Sequence, residues 1–166
     1  ALVAVVNTIR DSAMGRLFDS AATLLHLKEE NRFKGECAMA LEQAAVQAKR
    51  KGKTALPLHL SLKEEKGQLI WHREDLISSL VEADDTIEEA ALGFHRAIVD
   101  MVVESARLLG VEQVILTGGC FHNGILWTET KKALTKEHFK VYGNEKVPCG
   151  DGGISLGQAL YGLMQG

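Results

Sequence analysis

The chain has 166 residues, of which 46% are hydrophobic and 25% charged, with a formal net charge of −3. This length is enough for one domain with a substantial core. The slightly acidic balance argues against a general nucleic-acid-binding protein, because phosphate contacts need a basic face. No apolar run approaches the roughly 18–20 residues of a membrane span, so we expect neither nucleic acid nor a membrane as a partner.

Cysteine usage and the opening residues indicate the cellular compartment. The three cysteines, Cys37, Cys120 and Cys149, form no CxxC pair, so neither a disulfide framework nor a cysteine-type zinc site is expected. Residues 1–6 are apolar with no basic region before them, unlike a signal peptide. These features favour the cytoplasm. The chain opens without Met and in the middle of an apolar pattern, which we interpret as a C-terminal piece of a longer protein.

Hydrophobic periodicity predicts an alternation of helices and strands. The predicted helices cover about residues 12–27, 36–51, 73–82, 86–109, 122–134 and 153–164. The predicted strands cover residues 56–62, 68–72, 113–116 and 140–142, the first two forming a hairpin around a turn at 63–67. Ser12 is expected to cap the first helix, and Thr86 with Glu89 to form a capping box on the longest one. The order α-β-α-β-α from residue 86 onward indicates a layered α/β domain with ligands at the carboxyl ends of its strands.

Two glycine-rich turns near the C-terminus each hold one polar residue. The first, TGGCFHN over residues 117–123, directly follows the apolar run 114–116. The second, PCGDGGISLGQ over residues 148–158, runs into the last predicted helix. A strand or loop that enters a helix in this way exposes helix N-terminal N–H groups, and glycine lets a ligand approach the backbone. Two such turns suggest a nucleotide, with Asn123 and Asp151 as its polar contacts.

Four stretches of the chain, in order, resemble the hydrogenase maturation carbamoyltransferase family, HypF. TGGCFHN is similar to the (S/T)-G-G-V-x-x-N turn of carbamoyltransferase-type ATPases, and PCGDGGISLGQ to the P-x-x-D-G-G-x-x-L-G-Q ending of HypF. SAMGRLFD over residues 12–19 is similar to S-x-x-G-R-L-F-D, and FKGECAMALE over residues 33–42 to Y-E-G-x-A-A-x-x-L-E. Any one match alone is weak, but together they span residues 12–158 and are specific.

The resemblance implies a fold, a place in a larger protein and an activity. The fold would be α/β, a ribonuclease-H-like half-domain of the actin/Hsp70/sugar-kinase (ASKHA) superfamily. Residues 1–166 would form the nucleotide-binding C-terminal subdomain, from the domain similar to the tRNA threonylcarbamoyl transferase. The family uses ATP and carbamoyl phosphate to make carbamoyl-adenylate. It then transfers the carbamoyl group to the C-terminal cysteine of HypE, for the cyanide ligand of nickel–iron hydrogenase.

The resemblance also assigns residue roles. Six positions match nucleotide-binding residues: Asp19, Gly35, Glu42, Gly118, Gly119 and Asn123. Asp19 and Glu42 match ribose-binding acids, and a carboxylate accepts two hydrogen bonds from a diol. Asp151 matches the carboxylate that completes a metal site with a His-x-x-x-His pair, where mixed ligation suits Fe or Zn and a hard carboxylate suits Mg²⁺. That histidine pair is absent from this sequence, so no residue here is expected to be catalytic and the chain alone is expected to be inactive.

Each of these residues also has a simpler structural interpretation. Asp19 could be an ordinary surface acid, and Asn123 and Asp151 could cap the helices that follow them. His95 is expected to be a satisfied core histidine, whereas His122 could contact a ligand. Cys120, where the family has valine, and Cys149 are expected to be small buried residues, because no activating base is placed beside them. Gly124 stands where the family has arginine, which removes any contact made by that side chain.

Two alternative functions remain open at this point. One is the related enzyme that attaches threonylcarbamoyl to tRNA adenosine, although the GRLFD and DGGISLGQ segments favour HypF. The other is a non-catalytic nucleotide-binding or docking module, which would bind nucleotide without turnover even when the whole protein is supplied.

Overall fold

A computed structural model describes residues 12–83 and 86–165 of the chain. The opening segment, on which the signal-peptide interpretation depends, lies outside these residues. The helices are α1 (Met14–Leu24), α2 (Glu36–Arg50), α3 (Glu74–Val81), α4 (Ile87–Leu108), α5 (Gly124–Lys136) and α6 (Ile154–Gln165). The strands are β1 (Ser61–Glu65), β2 (Gln68–His72), β3 (Gln113–Leu116) and β4 (Lys140–Gly143). Within the described ranges, no helix has both the length and the apolar character needed to cross a membrane.

The core forms where α1, α2 and α5 pack around the long helix α4. Eleven of the residues of α4 are buried, from Ala90 to Ala106, which requires apolar contacts on several sides of the helix. Small residues of α2, among them Ala45 and Ala48, are fully buried, so that the two helices approach each other closely. Phe18 of α1 packs edge-to-face on Phe94 of α4, with ring centroids 4.9 Å apart.

A parallel strand pair carries the glycine-rich turns. β3 and β4 pair in parallel with Gln113 opposite Lys140 and Leu116 opposite Gly143, and α5 is the crossover that a parallel pair needs. The predicted order from residue 86 onward and the α/β class are thereby confirmed. β1 and β2 form a separate antiparallel hairpin, as predicted.

The predicted strand over residues 56–62 is wrong for residues 56–60, which have no regular secondary structure. The Leu56 N–H donates to the carbonyl oxygen of Glu89 at 3.0 Å, and Leu58 is buried in the core. The alternating leucines therefore indicate burial against α4 rather than a place in a sheet. The ladder begins only at Ser61 and extends to Glu65.

Thr86 is the N-cap residue of α4 as predicted, but neither the capping box there nor the Ser12 cap of α1 forms. The residue before α1 is Ala13, and no side chain caps that helix. Thr86 precedes α4 but its hydroxyl donates to the Ala83 carbonyl oxygen at 3.3 Å, and Glu89 forms an ion pair with Lys53 at 3.0 Å. A lysine brought in from another part of the chain thus replaces the local partner that the capping box requires.

Candidate nucleotide-binding site

The carboxyl ends of β3 and β4 bring the two glycine-rich turns together. Both strands of a parallel pair end at the same edge, so the chain that leaves each strand enters the same region. The turns are joined directly, because the Gly118 N–H donates to the Cys149 carbonyl oxygen at 2.7 Å. The two motifs that the sequence analysis assigns to one ligand therefore lie on one surface.

Gly118 and Gly119 open the first turn, for different reasons. Gly118 has a φ of +100°, in the region that favours glycine because other residues clash with their own backbone there. Gly119 starts the 3-10 turn Gly119–His122, and a Cβ atom at Gly119 would meet no described atom within 4 Å. Neither strain nor packing in the described chain requires glycine at position 119, and a ligand can approach its backbone closely.

Asn123 is the N-cap of α5, as its structural interpretation predicted. Its Oδ1 accepts a hydrogen bond from the Leu126 N–H at 2.8 Å. Its Nδ2 lies 2.9 Å from Nε2 of His95, a buried residue of α4. An amide side chain has two N–H donors and two lone pairs, so one donor and one lone pair of Asn123 remain for another partner.

Two of the predicted site residues belong to α2, Gly35 at its N-cap and Glu42 beside the end of the first turn. Gly35 precedes α2 with a φ of +84°, and a Cβ atom there would meet no described atom within 4 Å. Glu42 Oε1 accepts the N–H groups of Gly124 at 2.6 Å and Ile125 at 3.4 Å. A carboxylate at the N-terminus of α5 also interacts favourably with the helix dipole.

Asp19 lies on α1, the helix that contacts the 3-10 turn. Its carboxylate accepts a hydrogen bond from Arg16 at 3.4 Å and remains about a quarter exposed. Burial raises the pKa of the Cys37 thiol, and the nearby Asp19 charge raises it further. Asp19 therefore lies close enough to α2 for its charge to act on Cys37, two residues after Gly35.

Asp151 begins the second 3-10 turn, Asp151–Gly153, and its carboxylate forms an ion pair with Lys34. The side chain of Asp151 is 72% exposed. The Lys34 ammonium, together with the weaker field of His122, lowers the pKa of this carboxyl, so Asp151 is ionised at neutral pH. The Asp151 side chain therefore pairs with Lys34 and does not cap α6.

The described residues could supply only some of the ligands of a metal site. The described residues contain no group of three or more His, Cys, Asp or Glu side chains arranged to hold a metal ion. Asp151 is an exposed, ionised carboxylate, the form that binds hard cations. It can therefore supply one ligand, and further ligands would have to come from elsewhere.

The cysteines beside the turns show no sign of nucleophilic activation. Cys120 and Cys149 are free and partly buried. Burial raises the pKa of the Cys120 thiol, which keeps it protonated, whereas a nucleophile must be a thiolate. His122 lies beside Gly150, where a Cβ atom would come within 2.8 Å of the histidine Nε2.

Two features of this surface were not predicted from sequence. Lys34 is distant from Asp151 in sequence, and the position corresponds to glutamate in the resembled Y-E-G segment, so no local pattern indicates the ion pair. The buried ring of His95 was expected in the core, and it is fully buried, but its contact with Asn123 depends on how α4 packs against α5. Only the tertiary structure shows these contacts.

Comparison with known proteins gives a consistent result over nearly the whole chain. The family model described as "Carbamoyltransferase, Kae1-like Domain, second subdomain" matches residues 1–158. The "Carbamoyltransferase HypF" of Synechocystis sp. is 37% identical over 150 residues, which cover 90% of this chain and 19% of that protein. The protein of the same name from Rhodobacter capsulatus is 32% identical over 161 residues, 93% of this chain and 20% of that protein. The chain thus spans about a fifth of the length of these relatives.

Solved structures agree with the sequence relatives. The crystal structure of full-length HypF in its phosphate- and nucleotide-bound form matches with a TM-score of 0.77 and 30% identity, over 95% of this chain and 21% of that one. The crystal structure of T. kodakarensis HypF matches with a TM-score of 0.75 and 31% identity, over 97% of this chain and 21% of that one. The predicted α/β half-domain of the ASKHA superfamily is confirmed by these matches. The chain belongs to the HypF carbamoyltransferase family.

Proposed function

We propose that this chain is the nucleotide-holding subdomain of a longer cytoplasmic carbamoyltransferase. The whole protein would use ATP and carbamoyl phosphate, form carbamoyl-adenylate and transfer the carbamoyl group to the C-terminal cysteine of HypE. The observation that carries this proposal is the junction of the two glycine-rich turns at one strand edge, where Gly118 donates to Cys149. The related crystal structure of full-length HypF is described as phosphate- and nucleotide-bound.

The residues around the junction supply the contacts that a nucleotide needs. Asp19 and Glu42 would accept hydrogen bonds from the ribose hydroxyls, because charged acceptors form the stronger hydrogen bonds. Gly35, Gly118 and Gly119 would let the nucleoside and phosphates lie against the backbone. The free donor and lone pair of Asn123 would complete the polar contacts. Holding the mixed anhydride in a fixed position lowers the entropy cost of thiol attack on the carbamoyl carbon, with AMP as the leaving group.

Asp151 would be the contribution of this chain to a metal site whose other ligands lie outside the described residues. A metal bound there, Mg²⁺ with the nucleotide or Fe or Zn in the completed domain, would neutralise phosphate charge and polarise the reacting group. Lys34, the present partner of Asp151, would have to release the carboxylate when the metal binds. The curated relatives bear the HypF name, which favours this function over the tRNA-modifying alternative.

The Asp151→Ala variant of the HypF-length protein tests the proposal. Because Asp151 is exposed, the fold should survive, while metal content falls and carbamoyl transfer to HypE is abolished. The matched control is Asp75→Ala, which removes an exposed acid of α3 and should change neither quantity. Wild-type metal content and activity in Asp151→Ala would contradict the metal role, and nucleotide binding without any turnover in the wild-type protein would favour a non-catalytic module.

A further inference from the structure

The buried histidine of α4 is tied to the first glycine-rich turn by a chain of hydrogen bonds. His95 is fully buried, and its ring packs edge-to-face with those of Phe18 and Phe94. Its Nδ1 lies 2.7 Å from the Ala91 carbonyl oxygen, and its Nε2 lies 2.9 Å from Nδ2 of Asn123. A carbonyl oxygen only accepts and an amide NH₂ only donates, so Nδ1 carries the proton and Nε2 is the acceptor.

This arrangement fixes which way the Asn123 amide points. With Nδ2 held by His95, Oδ1 faces the Leu126 N–H and caps α5 at 2.8 Å. A reversed amide would place Oδ1 against the lone pair of Nε2 and an NH₂ group against the Leu126 N–H, losing both hydrogen bonds. Burial lowers the pKa of His95 to about 4, so the ring remains a neutral acceptor at physiological pH.

We infer that His95 is a positioning residue that orients the Asn123 amide toward the nucleotide. This inference rests on the proposed function, because it assigns Asn123 to the nucleotide site. His95 itself touches no ligand, since it is fully buried behind the turn. Its Nε2 lone pair sets the free donor and the free lone pair of Asn123 in one orientation, so that neither must reorganise when a nucleotide binds.

Substitutions at position 95 separate this role from simple packing. The glutamine side chain reaches the position of Nε2 and retains an acceptor for Asn123. The asparagine side chain reaches only the position of Nδ1, so His95→Asn keeps the bond to Ala91 but not the acceptor. The leucine side chain of His95→Leu fills the volume of the imidazole but offers no acceptor. This variant replaces His95→Asn in the test if His95→Asn does not fold.

The test measures ADP affinity of the HypF-length protein and its variants by calorimetry. We expect His95→Asn and His95→Leu to bind ADP about tenfold more weakly than wild type, the equivalent of about one hydrogen bond. We expect His95→Gln to restore most of the affinity. Equal ADP affinity in all variants would overturn the inference and leave His95 as a packing residue.

A second readout tests the orientation of the Asn123 amide separately from ADP binding, whose absence in the wild-type protein would refute the proposed function. Amide hydrogen exchange at Leu126 reports the Asn123 cap, with Val99 in the core of α4 as the reference. Faster exchange of Leu126 in His95→Asn and His95→Leu than in wild type and His95→Gln would support the positioning role. Equal exchange in all four proteins would overturn it.

Discussion

At the scale of single residues, His95 shows how burial determines chemistry in this chain. The imidazole is fully buried, and burial lowers its pKa from an ordinary value of 6.5 to about 4. Charging a buried ring without a counter-ion is unfavourable, so the folded state resists protonation. The unfolded chain has no such constraint and takes up a proton at a higher pH.

This difference predicts an acid-sensitive stability. Above pH 6.5 the ring is neutral in both states and the stability is fully present. As pH falls from 6.5 toward 4, only the unfolded state binds the proton, so folding loses up to roughly 3 kcal/mol. Urea unfolding between pH 7 and 4.5 measures the loss. The lower end of that window overlaps the range in which carboxyls with lowered pKa, such as Glu88 and Glu89, begin to lose stability in the same direction, because their unfolded forms start to take up protons there.

The control for the acid effect is His95→Gln, which has no titrating group at this position. Its stability should fall much less over the same pH window. A slope equal to that of wild type would show that other groups are responsible.

Gly119 provides a residue-scale test of the site itself. Because a Cβ atom there meets no described atom, Gly119→Ala should change the free energy of unfolding by no more than about 0.5 kcal/mol. The same methyl group would stand between the backbone and a nucleotide, so ADP affinity of the HypF-length protein should fall about tenfold or more. The neighbouring Cys120→Val, which alters a partly buried side chain, should leave ADP affinity unchanged. Normal ADP binding in Gly119→Ala would remove this glycine from the site.

At the scale of elements, the strongly periodic helices α2 and α4 were predictable to within one residue at each end, but the side-chain cap of α4 was not. The apolar faces of α2 and α4 are long enough to define a helix from local pattern alone. The capping box predicted at Thr86 was wrong because the Glu89 carboxylate forms an ion pair with Lys53, a residue that the fold brings close. The strand prediction failed at residues 56–60 because alternating leucines can also pack on a helix without joining a sheet.

The contact between that segment and α4 gives an element-scale prediction. A Cβ atom at Gly93 of α4 would overlap the carbonyl oxygen of Leu56 and lie 3.1 Å from its carbonyl carbon. Gly93→Ala should therefore destabilise the chain by about 2 kcal/mol, even though alanine is the better helix former. Gly162→Ala is the matched control, because its Cβ atom in α6 meets no described atom. It should be neutral or slightly stabilising, and urea unfolding compares the two.

An unchanged or increased stability of Gly93→Ala would mean that the segment can move away from α4 without loss. The packing role assigned to the alternating leucines would then be wrong.

At the scale of the whole molecule, the proposed site would draw on α1, α2 and the two turns after β3 and β4. The sequence motifs identified these four stretches because each carries a glycine or acid in a recognisable order. The motifs could not show that Glu42 contacts the N-terminus of α5, or that Lys34 pairs with Asp151. Both contacts join residues more than 80 positions apart, and only packing of the complete chain creates them.

The surface of α6 fits the proposal that this chain is one part of a larger domain. All 12 residues of the helix are exposed, and Leu163 and Met164 are 80% and 76% accessible. An apolar surface of this kind is typical of an interaction site rather than of a free surface. Under that proposal, the remainder of a HypF-length protein would cover this surface, in agreement with the family description as a second subdomain.

The most direct test of the account is hydrogen–deuterium exchange of the HypF-length protein with and without ADP and Mg²⁺. The proposed site predicts slower exchange in three segments of this chain, residues 33–43, 117–126 and 149–153, with α3 and the β1–β2 hairpin unchanged. Protection confined to other parts of the protein, with these segments unaffected at saturating ADP, would show that the two joined turns serve only the fold.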